Sequence, residues 1–79
     1  MQITQIRFYL AEEAPVTFKI YNLLGEVVTE VLNQPMPAGV HVVYWHGRDA
    51  SGQDVASGVY FYQLTAANHI STRRMTVLK

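Results

Sequence analysis

The stretch that most constrains this chain is Val43 to Leu64, V-Y-W-H-G-R-D-A-S-G-Q-D-V-A-S-G-V-Y-F-Y-Q-L, in which two aromatic, β-type runs flank a polar turn. Tyr44, Trp45, Tyr60, Phe61 and Tyr62 place most of the aromatic rings here, and each buried ring removes more apolar surface from water than an aliphatic side chain does. Asp49, Ser51, Gly52 and Asp54 lie between the runs. These residue types bond their own backbone or accept positive φ, so they close a turn at little cost. The expectation is a hairpin with the core beneath it and the remaining chain forming sheet around it. Phe8, Phe18, Trp45 and Tyr60 are its expected core anchors.

The flanking segments repeat the strand pattern. Ile6, Phe8 and Leu10 alternate with Arg7 and Tyr9, and Val16, Phe18 and Ile20 alternate with Thr17, Lys19 and Tyr21. A period of two reads as a half-buried strand. These two strands can pair directly or face each other across a core. Ala11 to Pro15 breaks the pattern with two charges and a proline that lacks an amide hydrogen. Asn22-Leu23-Leu24-Gly25 ends the second strand, with Gly25 suited to positive φ. Glu26 to Asn33 is ambiguous, because Val27, Val28, Val31 and Leu32 fall at helical spacing while valines favour a pleated strand. Its brevity and its strand neighbours decide for a strand.

Gln34 to Gly39 reads as a proline-containing loop. Val40 to His46 has apolar groups on both faces, as a central strand does, and Val59 to Leu64 follows Gly58 in the same manner. Ala66 to His69 turns the chain, with Asn68 tolerant of the left-handed region. Ile70 to Lys79 forms the last strand. Six or seven short strands without a convincing helix make an all-β sandwich or barrel, and a two-sheet sandwich is the better match.

At 79 residues the chain is one domain, residues 1–79, with a thin core. It has no cysteine, so neither a disulfide nor a thiolate metal site contributes. Six basic and six acidic side chains cancel, leaving no broad positive field for a nucleic acid or an anionic membrane. No apolar run reaches the ~20 residues of a transmembrane helix.

Few groups point to chemistry. Glu12 and Glu13 are adjacent on a turn and point apart, unlike an acid–base pair in a shared cleft. His41 and His46 fall on opposite faces of one strand and His69 on another turn, which argues against a metal site. Asp49 to Asp54 resembles part of a calcium loop but lacks the bidentate glutamate. No signature places Ser51 or Ser57 on a nucleophile elbow. The expectation is a noncatalytic domain without a cofactor. Tyr9 and Tyr21 project from the faces opposite the apolar ones and offer a surface for stacking on sugar rings; alternatively they only cover their strand neighbours.

The runs I-R-F-Y-L, V-T-F-K-I-Y-N-L-L-G-E-V-V, W-H-G-R-D-A-S-G-Q-D-V-A-S-G-V-Y-F-Y and R-R-M-T-V-L-K resemble those of the carboxy-terminal sorting domains of the bacterial type IX secretion system. They are similar as well to the immunoglobulin-like domain of the flagellar hook-capping protein. The chain departs from the pattern at His46, where aspartate is usual, and in lacking an asparagine-proline entry before its first strand, as in a chain trimmed at Met1.

The resemblance implies an immunoglobulin-like sandwich of about seven antiparallel strands, the C-terminal module of a larger secreted protein, often a hydrolase. It implies export through the type IX machinery and attachment at the cell surface, with the parent enzyme in cis and the secretion machinery and surface components as partners. Gly25, Gly58, Tyr60, Arg74 and Lys79 match the family's turn glycine, its G-x-Y and its basic last-strand positions, and are the recognition candidates. A structural hook-capping domain and a carbohydrate-binding accessory module are the alternative functions.

Overall fold

The computed structural model describes residues 3–78. Six strands run through them: β1 (Thr4–Leu10), β2 (Ala14–Tyr21), β3 (Val27–Met36), β4 (Gly39–Trp45), β5 (Gly58–Ala66) and β6 (His69–Val77). All pairings are antiparallel. β1 and β4 form a two-stranded sheet, and β3-β2-β5-β6 a four-stranded one. The result is a β-sandwich of the immunoglobulin-like type, with six strands among the described residues rather than seven. No strand pairs across the two sheets, so a closed barrel is ruled out.

The alternation of β1 and β2 determines how the sheets stack. Val16, Phe18 and Ile20 on β2 are fully buried, and they face Ile6, Phe8 and Leu10 across the sandwich instead of pairing with them. Phe18, Ile20, Val43, Trp45, Tyr60 and Val77 make the main core, and Leu10, Val16 and Ala66 a smaller cluster at one end. Phe8 is only partly buried and packs against both clusters. Burying Phe18 alone contributes about 1.5–3 kcal/mol relative to leaving it in water.

The expected central hairpin is not one. β4 and β5 lie in different sheets, and residues 46–57 arch from one to the other. Val43 and Trp45 thereby pack with Tyr60 in the core, Trp45 meeting its ring across the two sheets, and the arch is tied by its own bonds. Arg48 and Asp54 form an isolated bridge, Val55 N donates to Gly47 O at 2.9 Å, and Trp45 Nε1 donates to Arg48 O at 2.9 Å. Nor is β4 covered on both faces: its odd-numbered residues point to the core, while Val40, Val42 and Tyr44 are exposed. The covered central strands are β2 and β5.

β3 shows why Glu26 to Asn33 looked half helical. The β2–β3 register jumps between Phe18 and Lys19 and again between Ile20 and Tyr21, leaving Val31 and Val28 as bulge residues without direct partners. Each extra residue shifts the side-chain phase by one, so Val28, Val31 and Leu32 all reach the core from a strand. β3 also continues through Pro35 to Met36, where the composition reads as loop, and β2 takes in Ala14 and Pro15. Pro15 stands opposite Pro35. The Pro15 carbonyl accepts from Ala67 N on the β5 side, so the backbone groups of this proline pair face away from each other. The missing amide hydrogen of Pro35 therefore falls on the free edge of the sheet, where an edge strand tolerates it.

At the β5–β6 turn the left-handed residue is Ala67, with φ 53°, not Asn68. Ala66 pairs with His69, so Ala67 is the first of two loop residues, a position that demands positive φ in the tight hairpin turns.

Candidate interaction surface

Two turns of the same construction sit at one end of the sandwich. In the β2–β3 turn, Asn22 Oδ1 accepts from Leu24 N (2.9 Å) and Glu26 N (3.0 Å), Gly25 N donates to Asn22 O (3.0 Å), and Asn22 N donates to Glu26 O (3.0 Å). In the arch, Asp49 Oδ1 accepts from Ser51 N (2.9 Å) and Gln53 N (3.0 Å), Gly52 N donates to Asp49 O (3.0 Å), and Asp49 N donates to Gln53 O (2.8 Å). Gly25 and Gly52 carry φ of 82° and 88°. A Cβ at either would meet no atom within 4 Å, so backbone conformation, not space, is what calls for glycine there. Ala50 N donates to Val28 O at 3.2 Å and ties the arch to the start of β3.

These bonds account for Asp49. The Ser51 hydroxyl, at 2.7 Å from Oδ1, and then the Gln53 amide hold its carboxyl below the usual carboxylate value. An oxygen already receiving three donors is occupied as a capping group, and Asp54 lies 3.5 Å from Arg48 Nε. The arch is a bonded turn. The histidines are scattered: His41 stacks beside Phe8 at 5.5 Å and its Nε2 donates to Pro37 O at 2.6 Å, while His46 lies exposed just after β4 and His69 exposed at the start of β6. Among the described residues no group of three His, Cys, Asp or Glu side chains is placed to hold a metal ion.

The recognition candidates do not converge. Gly25 is at the tip of the β2–β3 turn and Gly58 opens β5 opposite Val77. Tyr60 is buried; its ring meets Trp45 and its hydroxyl donates to Ala56 O at 2.7 Å. Arg74 is exposed on the outer face of β6, opposite Phe61. Lys79 lies outside the described residues. The two tyrosines of the sugar-stacking reading are also apart: Tyr9 stands on the outer face of the two-stranded sheet, whereas Tyr21 is on the outer face of the four-stranded sheet, its hydroxyl donating to Gln63 Oε1 at 3.4 Å. They line no common face.

What the strands do bring together is the outer face of β1–β4. The register sets Tyr9 opposite Val40, Arg7 opposite Val42 and Gln5 opposite Tyr44. Tyr9, Val40, Val42 and Tyr44 are 69%, 55%, 40% and 50% exposed. Scattered apolar residues are ordinary on a surface, but a run of them along one strand with a tyrosine on the neighbouring strand is the composition of a contact face. In the sequence this face is hidden inside the pattern of β4, where outward valines read as burial on both sides.

Comparison with known proteins bears on the fold and the family. Residues 2–69 match the family model described as FlgD Ig-like domain. Among solved structures, FlgD from P. aeruginosa superposes with a TM-score of 0.71 at 22% sequence identity, covering 95% of this chain and 58% of that one. The chain thus spans little more than half the length of that FlgD. No curated protein matches.

Proposed function

The chain belongs to the FlgD Ig-like domain family, and from that premise we propose that it is a noncatalytic, structural immunoglobulin-like domain of a flagellar hook-capping type protein. The observation that carries this reading is the extent of the match, which takes in β1 to β5 and the whole arch. Its work would be done by packing. The outer face of β1–β4 supplies the contact area, with Tyr9 and Tyr44 as anchors and Arg7 between them, against another domain of the parent or a neighbouring subunit. Its place of action would be outside the cytoplasm, with exported flagellar parts.

A second reading, sorting through the type IX system, rests on the resemblance of the sequence runs alone, among them the R-R-M-T-V-L-K run that contains Arg74. One experiment separates the two. Codons for this domain are deleted from the parent gene in the source bacterium, and cells are examined for hooks by electron microscopy and for the parent protein by fractionation. Cells without hooks support the structural reading. Normal hooks with the parent protein stranded in the periplasm would overturn it in favour of sorting.

A further inference from the structure

Tyr21 finds on its own sheet the ring that Tyr9 does not supply. The register sets Tyr21 opposite Phe61 and Phe61 opposite Arg74, so two aromatic rings and a guanidinium stand on successive strands of one outer face. The next rung carries Lys19, Gln63 and Thr72. Tyr21, Phe61, Gln63 and Thr72 meet Leu23 of the β2–β3 turn around an open recess of about 350 Å³. Tyr21 and Phe61 are half-buried, held by their neighbours with part of each side chain left open to solvent. The polar groups beside them are tied to one another: the Tyr21 hydroxyl donates to Gln63 Oε1 at 3.4 Å, and Gln63 Nε2 donates to Thr72 Oγ1 at 3.3 Å. That row keeps spare capacity, because the tyrosine oxygen can still accept, while the second amide hydrogen of Gln63 and the hydroxyl hydrogen of Thr72 can still donate. Lys19 is matched by Glu30 at 3.8 Å, whereas Arg74 is exposed and forms no ion pair among the described residues.

We propose that this face binds an acidic polysaccharide, with one sugar ring on Tyr21 and Phe61 and a uronate carboxylate on Arg74. The chemistry selects the ligand. The C–H face of a pyranose packs on an aromatic ring, its hydroxyls suit a row of mixed donors and acceptors, and the planar guanidinium meets a carboxylate with two parallel bonds. Strands ~4.8 Å apart put Arg74 ~10 Å from Tyr21, the reach of two linked sugar rings. A protein partner is the poorer fit, because protein contacts centre on large apolar anchors from which water is removed, and amide and hydroxyl groups flank the rings here. The site lies on the outer face opposite the one that carries Tyr9 and Tyr44, so the two faces can be occupied at once and neither assignment depends on the other.

The test titrates the 79-residue chain with the mannuronate tetramer of alginate and with the neutral mannose tetramer of the same linkage, followed by two-dimensional NMR. The expected result is shifts at Tyr21, Phe61, Gln63 and Thr72, with the mannuronate bound more tightly. Arg74→Gln, a surface change, lowers the mannuronate affinity about fivefold, the effect of one exposed ion pair, and leaves the neutral tetramer unaffected. Arg73→Gln removes the same charge from the inner side of β6 and leaves both sugars unaffected. Phe61→Ala abolishes binding of both, and Phe61→Tyr keeps it. The proposal is overturned if the folded domain shows no shifts at millimolar sugar, if the shifts map to the outer face of β1–β4, if the neutral tetramer binds as tightly as the acidic one, or if Arg73→Gln costs as much as Arg74→Gln. A hexaglutamate peptide bound at this face more tightly than the mannuronate would also overturn it, by making an acidic protein the occupant.

Discussion

Tyr60 meets Trp45 edge-on, ring centroids 5.8 Å apart and planes inclined by 62°, although the two residues belong to sheets that share no hydrogen bond. This contact joins the two ends of the arch through the core. Trp45→Ala should cost about 3–5 kcal/mol, and a double-mutant cycle of Trp45→Leu with Tyr60→Leu should return a coupling of about 0.5–1.5 kcal/mol. Tyr60→Phe keeps the ring and loses only the bond to Ala56 O, for about 0.5–1.5 kcal/mol. Urea unfolding of the parent and these five variants measures each term; a coupling near zero would mean that the rings are neighbours without being partners.

The matched turns should respond alike. Gly25→Ala and Gly52→Ala each force a Cβ into the left-handed region without a clash, so each should lose about 1–2 kcal/mol. Asparagine tolerates that region better, and Gly25→Asn and Gly52→Asn should recover part of the loss. Thermal melts of the four variants would expose any inequality between the turns.

Ala67 offers the opposite case. Its positive φ is a standing strain, and Ala67→Gly should stabilise the domain by about 0.5–1 kcal/mol. A lower melting temperature for this variant would show that the side chain contributes more than its conformation costs.

The bulges of β3 make a prediction about phase. Val27→Lys should stay within about 0.5 kcal/mol of the parent, because Val27 is 55% exposed. Val28→Lys, one residue on and packed against the core, should cost about 1–3 kcal/mol. A regular strand in this segment would put Val28 and Val31 on opposite faces and would not produce a matching loss for Val31→Lys.

Asp49 gives a pH dependence whose sign follows from its bonds. The ordinary value of its carboxyl is 3.8 and the folded value is lower, chiefly through the Ser51 hydroxyl and then the Gln53 amide. The stabilisation is therefore complete above the ordinary value and is lost as pH falls from there through the folded value. Denaturant midpoints taken downward from about pH 5 should fall less steeply for Ser51→Ala, and less still for Asp49→Asn, than for the parent.

How much of this could be read from residues alone varies by element. The alternation in β1 and β2 carried the sandwich, because Phe8, Phe18 and their neighbours keep strict period two and show which face meets the core. The turns were legible as turns from Gly25, Asp49 and Gly52. β4 misled because Val40, Val42 and Tyr44 have the composition of a buried face while pointing outward; composition records what a side chain is, not what lies over it. β3 misled because two bulges moved its valines off period two. That Trp45 and Tyr60 belong to different sheets is a fact of long-range pairing, settled by β1 claiming β4 while β2 and β6 claim β5, and no local pattern states it.

Residues near one another in the chain or alike in chemistry do not make a site by that alone: Glu12 and Glu13 share the exposed β1–β2 turn, and His41 lies in β4, His46 just after it and His69 at the start of β6. The outer face of β1–β4 comes together the other way, from Tyr9 and Val40, residues far apart in sequence that one register rung places side by side.

The Pro15–Pro35 rung has a consequence for how copies of this domain can accumulate. On the β3 side the four-stranded sheet ends in a strand kinked by two bulges and short of a donor at Pro35, which cannot template another strand; on the β6 side it ends in an ordinary edge. Through this sheet, copies can pair only border to border at β6, and growth past that pair is closed on the β3 side.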